Sequence, residues 1–126
     1  MKTASNRLLD SRRVLVAEDD PFIAFDITRT LHEAGAEILG PAMSLARTLE
    51  LATTEDVNCA VLDVMLSDGT VFRAARLLRQ RGVGLVFYTG YFALDRLKRA
   101  WPGAQVLTKP ASPKLLVQAV RAACPP

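Results

Sequence analysis

Short apolar segments alternate with amphipathic segments along most of the chain, and this alternation restricts the fold more than any other feature. The apolar segments lie at Val14–Ala17, Cys59–Leu62, Val83–Tyr88 and Gln105–Leu107, with a weaker one at Glu37–Leu39. Between them, apolar residues recur every three or four positions, which is typical of the buried face of a helix. Strands that alternate with helices form βα units around a parallel sheet. The sequence therefore predicts an α/β fold built from five such units.

Local signals set the limits of the predicted helices. Asp20-Pro21 and Ser112-Pro113 each combine a capping residue with a proline at the first helical position, and Ser44 is the predicted cap of the second helix. Gly35 is expected to end the first helix, and Gly40-Pro41 to break the short second strand. The other predicted helices are Thr70–Gln80, a basic one at Phe92–Ala100, and a last one with an apolar stripe of Leu115, Leu116, Ala119 and Val120.

Composition narrows the class of protein. The chain has 126 residues, of which 50% are hydrophobic and 23% charged, as expected for one globular domain. No apolar stretch is long enough to span a membrane, and the first residues lack the apolar region of a signal peptide, so we expect a cytoplasmic protein without a membrane partner. The only cysteines, Cys59 and Cys124, do not indicate a disulfide framework.

The net charge of +3 raises the question of nucleic acid binding. The basic residues are scattered through amphipathic segments, without an aromatic-interleaved basic stripe or a helix-turn-helix pattern. We therefore expect no nucleic acid partner. Solvated helix faces, or a docking surface for an acidic protein, explain the positive charge.

Polar residues suited to phosphate or metal follow four of the predicted strands. They are Glu18 and Asp19 after the first, Asp63 after the third, Thr89 after the fourth, and Thr108 with Lys109 after the fifth. Each has a purely structural explanation when taken alone, as a helix cap, a turn residue or a surface lysine. Because the carboxyl ends of parallel strands meet at one edge of the sheet, where α/β proteins place their chemistry, the set together indicates a functional site.

The residue types of this set suit Mg²⁺-dependent phosphorylation of an aspartate. Converging Glu18, Asp19 and Asp63 would repel one another, and Mg²⁺ removes that conflict while needing few carboxylates. A phosphoryl group spreads its charge over three oxygens that need partners, which the metal, the Lys109 ammonium and the Thr89 hydroxyl can supply. Asp63 would then be the nucleophile that forms an acyl phosphate.

Four motifs resemble the receiver domain of two-component response regulators. They are RVLVAEDDP at 13–21, AVLDVMLSDG at 60–69, YTG at 88–90 and LTKP at 107–110. The resemblance covers residues 13 to about 122, in order and at the expected spacing. It implies a flavodoxin-like, doubly wound five-stranded parallel sheet, (βα)5, with strand order 2-1-3-4-5. We expect a single receiver domain at 13–123 after an N-terminal extension at 1–12.

The resemblance also implies a role for each site residue. Asp63 would be the phosphoacceptor, Glu18 and Asp19 the acidic pair that holds Mg²⁺, and the Met65 backbone carbonyl a further metal ligand. Thr89 would be the switch hydroxyl and Lys109 the phosphate-binding lysine. The phosphoryl donor would be a phosphohistidine on a sensor histidine kinase or a histidine phosphotransfer protein. Phe22 and Phe25 on the first helix are either core residues or part of a docking surface for that donor.

Departures from the family pattern concern the switch. The strand-five position that is usually aromatic is Val106, so the ordinary coupling of a threonine to an aromatic residue cannot operate as such. The segment from Phe87 to Tyr91 resembles the Phe-X-Thr-Gly-Tyr signature of a bacterial subgroup, many of whose members are stand-alone. We expect Gly90 to let the loop rearrange and shift Tyr91. Met65 and Tyr91 flank the water path in this family and predict slow dephosphorylation.

The resulting expectation is a stand-alone bacterial signalling module that catalyses only its own phosphorylation and dephosphorylation. It would act through phosphorylation-dependent partner binding or a phosphorelay. The sequence leaves open whether phosphorylation drives formation of a homodimer through the basic helix and the Leu115–Val120 helix. The alternative is a phosphorylation-independent interaction module on the same scaffold. A flavodoxin-like or phosphatase-type enzyme fits less well, because Glu18, Asp19 and Asp20 replace the Gly-rich phosphate loop after strand one.

Overall fold

The computed structural model of the protein describes residues 7–90 and 93–124. The five main strands are β1 (Arg13–Ala17), β2 (Glu37–Ala42), β3 (Cys59–Leu62), β4 (Gly84–Thr89) and β5 (Gln105–Thr108). The helices are α1 (Pro21–Glu33), α2 (Leu45–Thr54), α3 (Phe72–Gln80), α4 (Leu94–Ala100) and α5 (Pro113–Ala123). A short antiparallel hairpin, Met65–Leu66 with Gly69–Thr70, lies between β3 and α3.

The main sheet is parallel throughout, with spatial order β2-β1-β3-β4-β5. This confirms the predicted doubly wound (βα)5 fold. One core layer lies between the sheet and α2, α3 and α4, and the other between the sheet and α1 and α5. All four residues of the central strand β3 are buried, which explains its continuous apolar sequence.

The three predicted helix caps are confirmed. The Asp20 carboxylate accepts hydrogen bonds from the amides of Phe22 and Ile23, at 2.9 and 3.2 Å. The hydroxyls of Ser44 and Ser112 cap α2 and α5 in the same way. Capping depends on residues within one turn, which is why the sequence alone could locate these starts.

Three local predictions are corrected. Strand β2 continues through Gly40-Pro41 to Ala42, because it is an edge strand and a shift in its pairing with β1 accommodates the proline. Helix α3 begins at Phe72 instead of Thr70, since Gly69 and Thr70 pair in the hairpin. Leu115 is 50% exposed and does not belong to the buried stripe of α5.

The two cysteines form a pair that the sequence did not indicate. Cys59 begins β3 and Cys124 follows α5, yet the structure joins them as a disulfide with their Cα atoms 5.6 Å apart. The pairing arises because α5 packs across the sheet and brings its carboxyl end to the start of β3. This approach across a separation of 65 residues depends on the tertiary fold and not on cysteine spacing.

Residues just before β1 pack against the domain. Leu9 is fully buried among core residues of α1 and α5, and its amide donates to the carbonyl of Ala34 at 2.9 Å. At least this part of the segment expected as an extension therefore contributes to the core. None of the helices in residues 7–90 and 93–124 has the length and apolarity needed to cross a bilayer.

Candidate phosphoacceptor site

The polar residues that follow the strands meet at one edge of the sheet. Their backbone amides extend the ladder one residue past the strands: Glu18 donates to Ala42, Asp63 to Ala17 and Lys109 to Thr89, all at 2.9–3.0 Å. The strand register therefore determines the position of each side chain.

Asp63 lies at the centre of this edge and is 8% exposed. Its Oδ1 accepts a hydrogen bond from the Thr89 hydroxyl at 3.0 Å and a long one from the Met65 amide at 3.4 Å. Its Oδ2 accepts from Lys109 Nζ at 2.8 Å. Both carboxylate oxygens are thus oriented by contacts from β4, β5 and the loop after β3.

Lys109 bridges two carboxylates. Its ammonium forms ion pairs with Asp63 and with Glu18, which is 1% exposed. Burial on its own lowers the pKa of Lys109, but hydrogen bonds and charges of Asp63 and Glu18 outweigh it, so the pKa lies above its ordinary value of 10.5. Lys109 therefore stays charged in this pocket.

The environment of Glu18 disfavours the charged form of its carboxyl. Burial raises the pKa of its carboxyl above the ordinary value of 4.5, although hydrogen bonds from Lys109 and from the Asp20 amide act in the opposite direction. The nearby charge of Asp63 adds to the increase. A further positive charge at this site would relieve the conflict.

The acidic residues lie close enough to share a cation. Glu18, Asp19 and Asp63 each offer a carboxylate oxygen, and these atoms lie within 4.8 Å of one another. Only Lys109 opposes their three negative charges among the residues described. An all-oxygen donor set with excess negative charge suits a hard divalent cation such as Mg²⁺.

The structure describes two of the three expected switch residues, Gly90 and Val106. Gly90 is exposed at the end of β4, and Val106 of β5 is half-buried against the core layer that contains Phe87 and Trp101. Tyr91, expected to move with the switch, lies outside the described residues.

Three large apolar side chains near the site are exposed. Met65 is 55% exposed beside Asp63. Phe22 and Phe25 are 85% and 67% exposed and are therefore not core residues.

Two supporting contacts were not predicted from the sequence. The Tyr88 hydroxyl accepts a hydrogen bond from the Ala111 amide at 3.0 Å, which ties β4 to the loop that follows Lys109. The Asp68 carboxylate, in the loop after Asp63, accepts from the amides of Leu45 and Ala46 at the start of α2. A polar side chain in an otherwise apolar strand was the available signal for Tyr88, whereas Asp68 resembled an ordinary turn residue.

Comparison with known proteins assigns the family. The family model described as "Response regulator receiver domain" matches residues 14–121. The chain belongs to the response regulator receiver family. This confirms the resemblance seen in the motifs around Asp63 and Lys109, and phosphoryl-accepting signalling is the activity of the family.

One relative is similar across most of this receiver. The transcriptional regulatory protein PdtaR of Mycobacterium tuberculosis is 32% identical over 116 residues, a stretch that covers 89% of this chain. The chain spans 56% of that protein's length, so the comparison concerns only part of PdtaR.

Solved structures agree in fold. A response regulator receiver protein from Sinorhizobium medicae has a TM-score of 0.78 at 24% identity, over 86% of this chain and 90% of the other. A response regulator from Burkholderia pseudomallei, with a phosphorylated aspartic acid and a calcium ion, has a TM-score of 0.75 at 24% identity, over 89% and 69%.

Proposed function

We propose that this receiver accepts a phosphoryl group on Asp63 from a phosphohistidine, with Mg²⁺ held by the neighbouring acids. The observation that carries the proposal is the environment of Asp63. Its carboxylate contacts the Thr89 hydroxyl and the Lys109 ammonium on two different oxygens, next to the acidic pair of Glu18 and Asp19. A vestigial pocket has no need to retain all of these groups.

The transfer follows from the positions of the side chains. A carboxylate oxygen of Asp63 attacks the phosphorus, the P–N bond of the phosphohistidine breaks, and the imidazole leaves with the electron pair. Lys109 and Thr89, which contact the Asp63 carboxylate before transfer, then contact the phosphoryl oxygens. Because both are held by strand ends, little reorganisation is needed when the charge develops.

Glu18, Asp19, Asp63 and the Met65 carbonyl are the proposed Mg²⁺ ligands. Bound Mg²⁺ supplies positive charge to the oxygens of the transferring phosphoryl group. The grouping of the Glu18, Asp19 and Asp63 carboxylate oxygens within 4.8 Å of one another supports this assignment.

The surface beside Asp63 offers a place for the donor. Phe22 and Phe25 lie with Tyr88 and Lys109 around a groove of about 360 Å³, and Lys109 also contacts the Asp63 carboxylate. Such large exposed apolar side chains indicate a contact surface. We infer that they receive the histidine-bearing helices of a sensor kinase or phosphotransfer protein in the bacterial cytoplasm. Its further role as an effector or a relay component is part of this proposal.

The decisive experiment compares the wild type with Asp63→Asn in the presence of phosphoramidate, with and without MgCl₂. We expect a covalent phosphoryl adduct, detected by intact mass, only in the wild type and only with Mg²⁺. Asp95→Asn is the matched control, because Asp95 is an exposed acid on α4. Calorimetric titration should show Mg²⁺ binding that Asp19→Asn weakens at least about tenfold, as loss of one ligand charge predicts.

The alternative function makes a different prediction. If the scaffold is a phosphorylation-independent interaction module, neither protein forms an adduct and Mg²⁺ does not bind. An adduct that persists in Asp63→Asn would show that another residue accepts the phosphoryl group, and would reject Asp63 as the acceptor.

A further inference from the structure

A second groove lies on the opposite face of the sheet from the groove around Phe22 and Phe25. It has a volume of about 360 Å³ and runs between α3 and α4. Phe72, Leu97 and Trp101 form its apolar floor, while the exposed Arg76 and Arg96 lie on its two sides. None of these residues takes part in the site at Asp63.

Aromatic rings pack against one another in the floor of this groove. The Trp101 ring stacks on Phe72 at 6.0 Å and meets the edge of the fully buried Phe87 at 5.4 Å. The Arg79 guanidinium lies 4.4 Å from the Trp101 ring centroid. Because Trp101 is only 6% exposed, its ring is not available to stack on a nucleobase.

The two helices that border the groove are strongly basic. Six exposed basic residues lie on α3 and α4, where the only acid is Asp95; they are Arg73, Arg76, Arg79, Arg96, Lys98 and Arg99. Within the described ranges, none of the six forms an ion pair, whereas Arg13, Arg29 and Arg47 elsewhere on the surface do. This face is therefore electrostatically uncompensated in the isolated chain.

We propose that the α3–α4 groove binds an acidic segment of a partner protein that also carries a large apolar side chain. The apolar side chain would occupy the floor over Phe72 and Leu97, and flanking carboxylates would pair with Arg76 and Arg96. A nucleic acid would match the charge, but the buried Trp101 ring is not available for a base to stack on. The proposal does not depend on phosphorylation of Asp63.

A synthetic probe tests this proposal. The probe is a fluorescein-labelled helical peptide of about 16 residues, with glutamate on one face and leucine and phenylalanine on the other. We expect saturable binding with a Kd of about 10 µM, measured by fluorescence anisotropy. An all-glutamate peptide of the same charge should bind at least about tenfold more weakly, because it cannot fill the apolar floor.

Two variants locate the binding site. R76E/R96E should weaken binding of the amphipathic peptide at least about tenfold, because it reverses both rim charges. K114E/R121E makes the same change of net charge on exposed positions of α5 and should change the affinity less than about twofold. Since all four positions are exposed, both variants should fold, which circular dichroism verifies.

Three results would overturn the proposal. One is the absence of saturable binding by the amphipathic peptide. Another is an equal loss of affinity for the amphipathic peptide in both double variants, which would indicate non-specific attraction to net charge. The third is tighter binding of a single-stranded oligonucleotide that depends on Arg76 and Arg96, which would make this face a nucleic acid surface.

Discussion

Lys109 Nζ lies 2.8 Å from Oδ2 of Asp63, although 46 positions separate the two residues in the chain. The same ammonium contacts Glu18, so one side chain from the end of β5 links the carboxylates that follow β1 and β3. Lys109 is thus the central countercharge of the described pocket, and several predictions depend on it and on its neighbours.

Lys109→Gln should destabilise the protein in metal-free buffer. Without the ammonium, Glu18, Asp19 and Asp63 face one another without a countercharge, and we expect a loss of about 2 kcal/mol in the free energy of unfolding. Mg²⁺ should restore more stability to this variant than it adds to the wild type. Thermal unfolding with and without MgCl₂ measures both effects, and Lys114→Gln on α5 serves as the control. Equal Mg²⁺ effects in the two variants would contradict the prediction.

Thr89→Ala should separate phosphorylation from the response to it. The hydroxyl donates a hydrogen bond to Asp63, and the proposed nucleophile is the Asp63 carboxylate, so the adduct should still form. Trp101 is the only tryptophan and packs against Phe87, two residues before Thr89, which makes its fluorescence a reporter of movement at the end of β4. We expect the change in fluorescence on phosphorylation to disappear in Thr89→Ala and to persist in Thr89→Ser. An unchanged response in Thr89→Ala would reject the switch role.

The acyl phosphate should decay slowly. Met65 is exposed beside Asp63 and has no group that can orient an attacking water, and the sequence makes the same prediction for Tyr91. We expect a lifetime of minutes or longer, and faster decay in Met65→Asn, whose amide can bind water. Following the intact mass of the phosphorylated protein over time measures the rate, and a wild-type lifetime of seconds would be the contrary result.

Tyr88→Phe should loosen the loop after Lys109. Tyr88 is 7% exposed, and removal of its hydroxyl leaves the Ala111 amide without this acceptor. We expect a loss of about 1–2 kcal/mol in the free energy of unfolding. Hydrogen exchange provides the specific readout, because the Ala111 amide should lose protection while amides in β1 and β3 keep theirs. Uniform loss of protection would instead indicate general destabilisation.

Asp68→Asn should lower stability in a pH-dependent manner. Hydrogen bonds from the amides of Leu45 and Ala46 lower the pKa of the Asp68 carboxyl below its ordinary value of 3.8. A lowered pKa means that the ionised group stabilises the fold fully above 3.8 and loses this effect as the pH falls through the lower, folded-state value. In urea unfolding, the difference in the free energy of unfolding between the wild type and Asp68→Asn should therefore be larger at neutral pH than at about pH 3.

Asp56→Asn is the control for this comparison, because Asp56 is an exposed carboxylate in the loop after α2. A stability difference between the wild type and Asp68→Asn that does not change with pH would mean that the charge of Asp68 does not contribute.

Much of the fold could be predicted from the sequence because its signals are local. Asp20, Ser44 and Ser112 cap helices within a single turn, and the apolar run at Cys59–Leu62 marks a strand buried on both faces. Position at a strand end was also sufficient to predict that Glu18, Asp63, Thr89 and Lys109 would meet, because parallel strands bring their carboxyl ends to one edge. The roles assigned to these residues stay predictions.

Other features depended on how distant elements pack. The shift in pairing that carries β2 past Gly40-Pro41, the burial of Leu9, and the pairing of Cys59 with Cys124 all require a neighbouring element that the local sequence does not specify. The sequence by itself determined which chemical groups stand at the strand ends, because that follows from residue order along each βα unit. Only the tertiary structure determined the Tyr88–Ala111 hydrogen bond, the hydrogen bonds between the Asp68 carboxylate and the start of α2, and the basic groove between α3 and α4. Each forms where separate elements pack together.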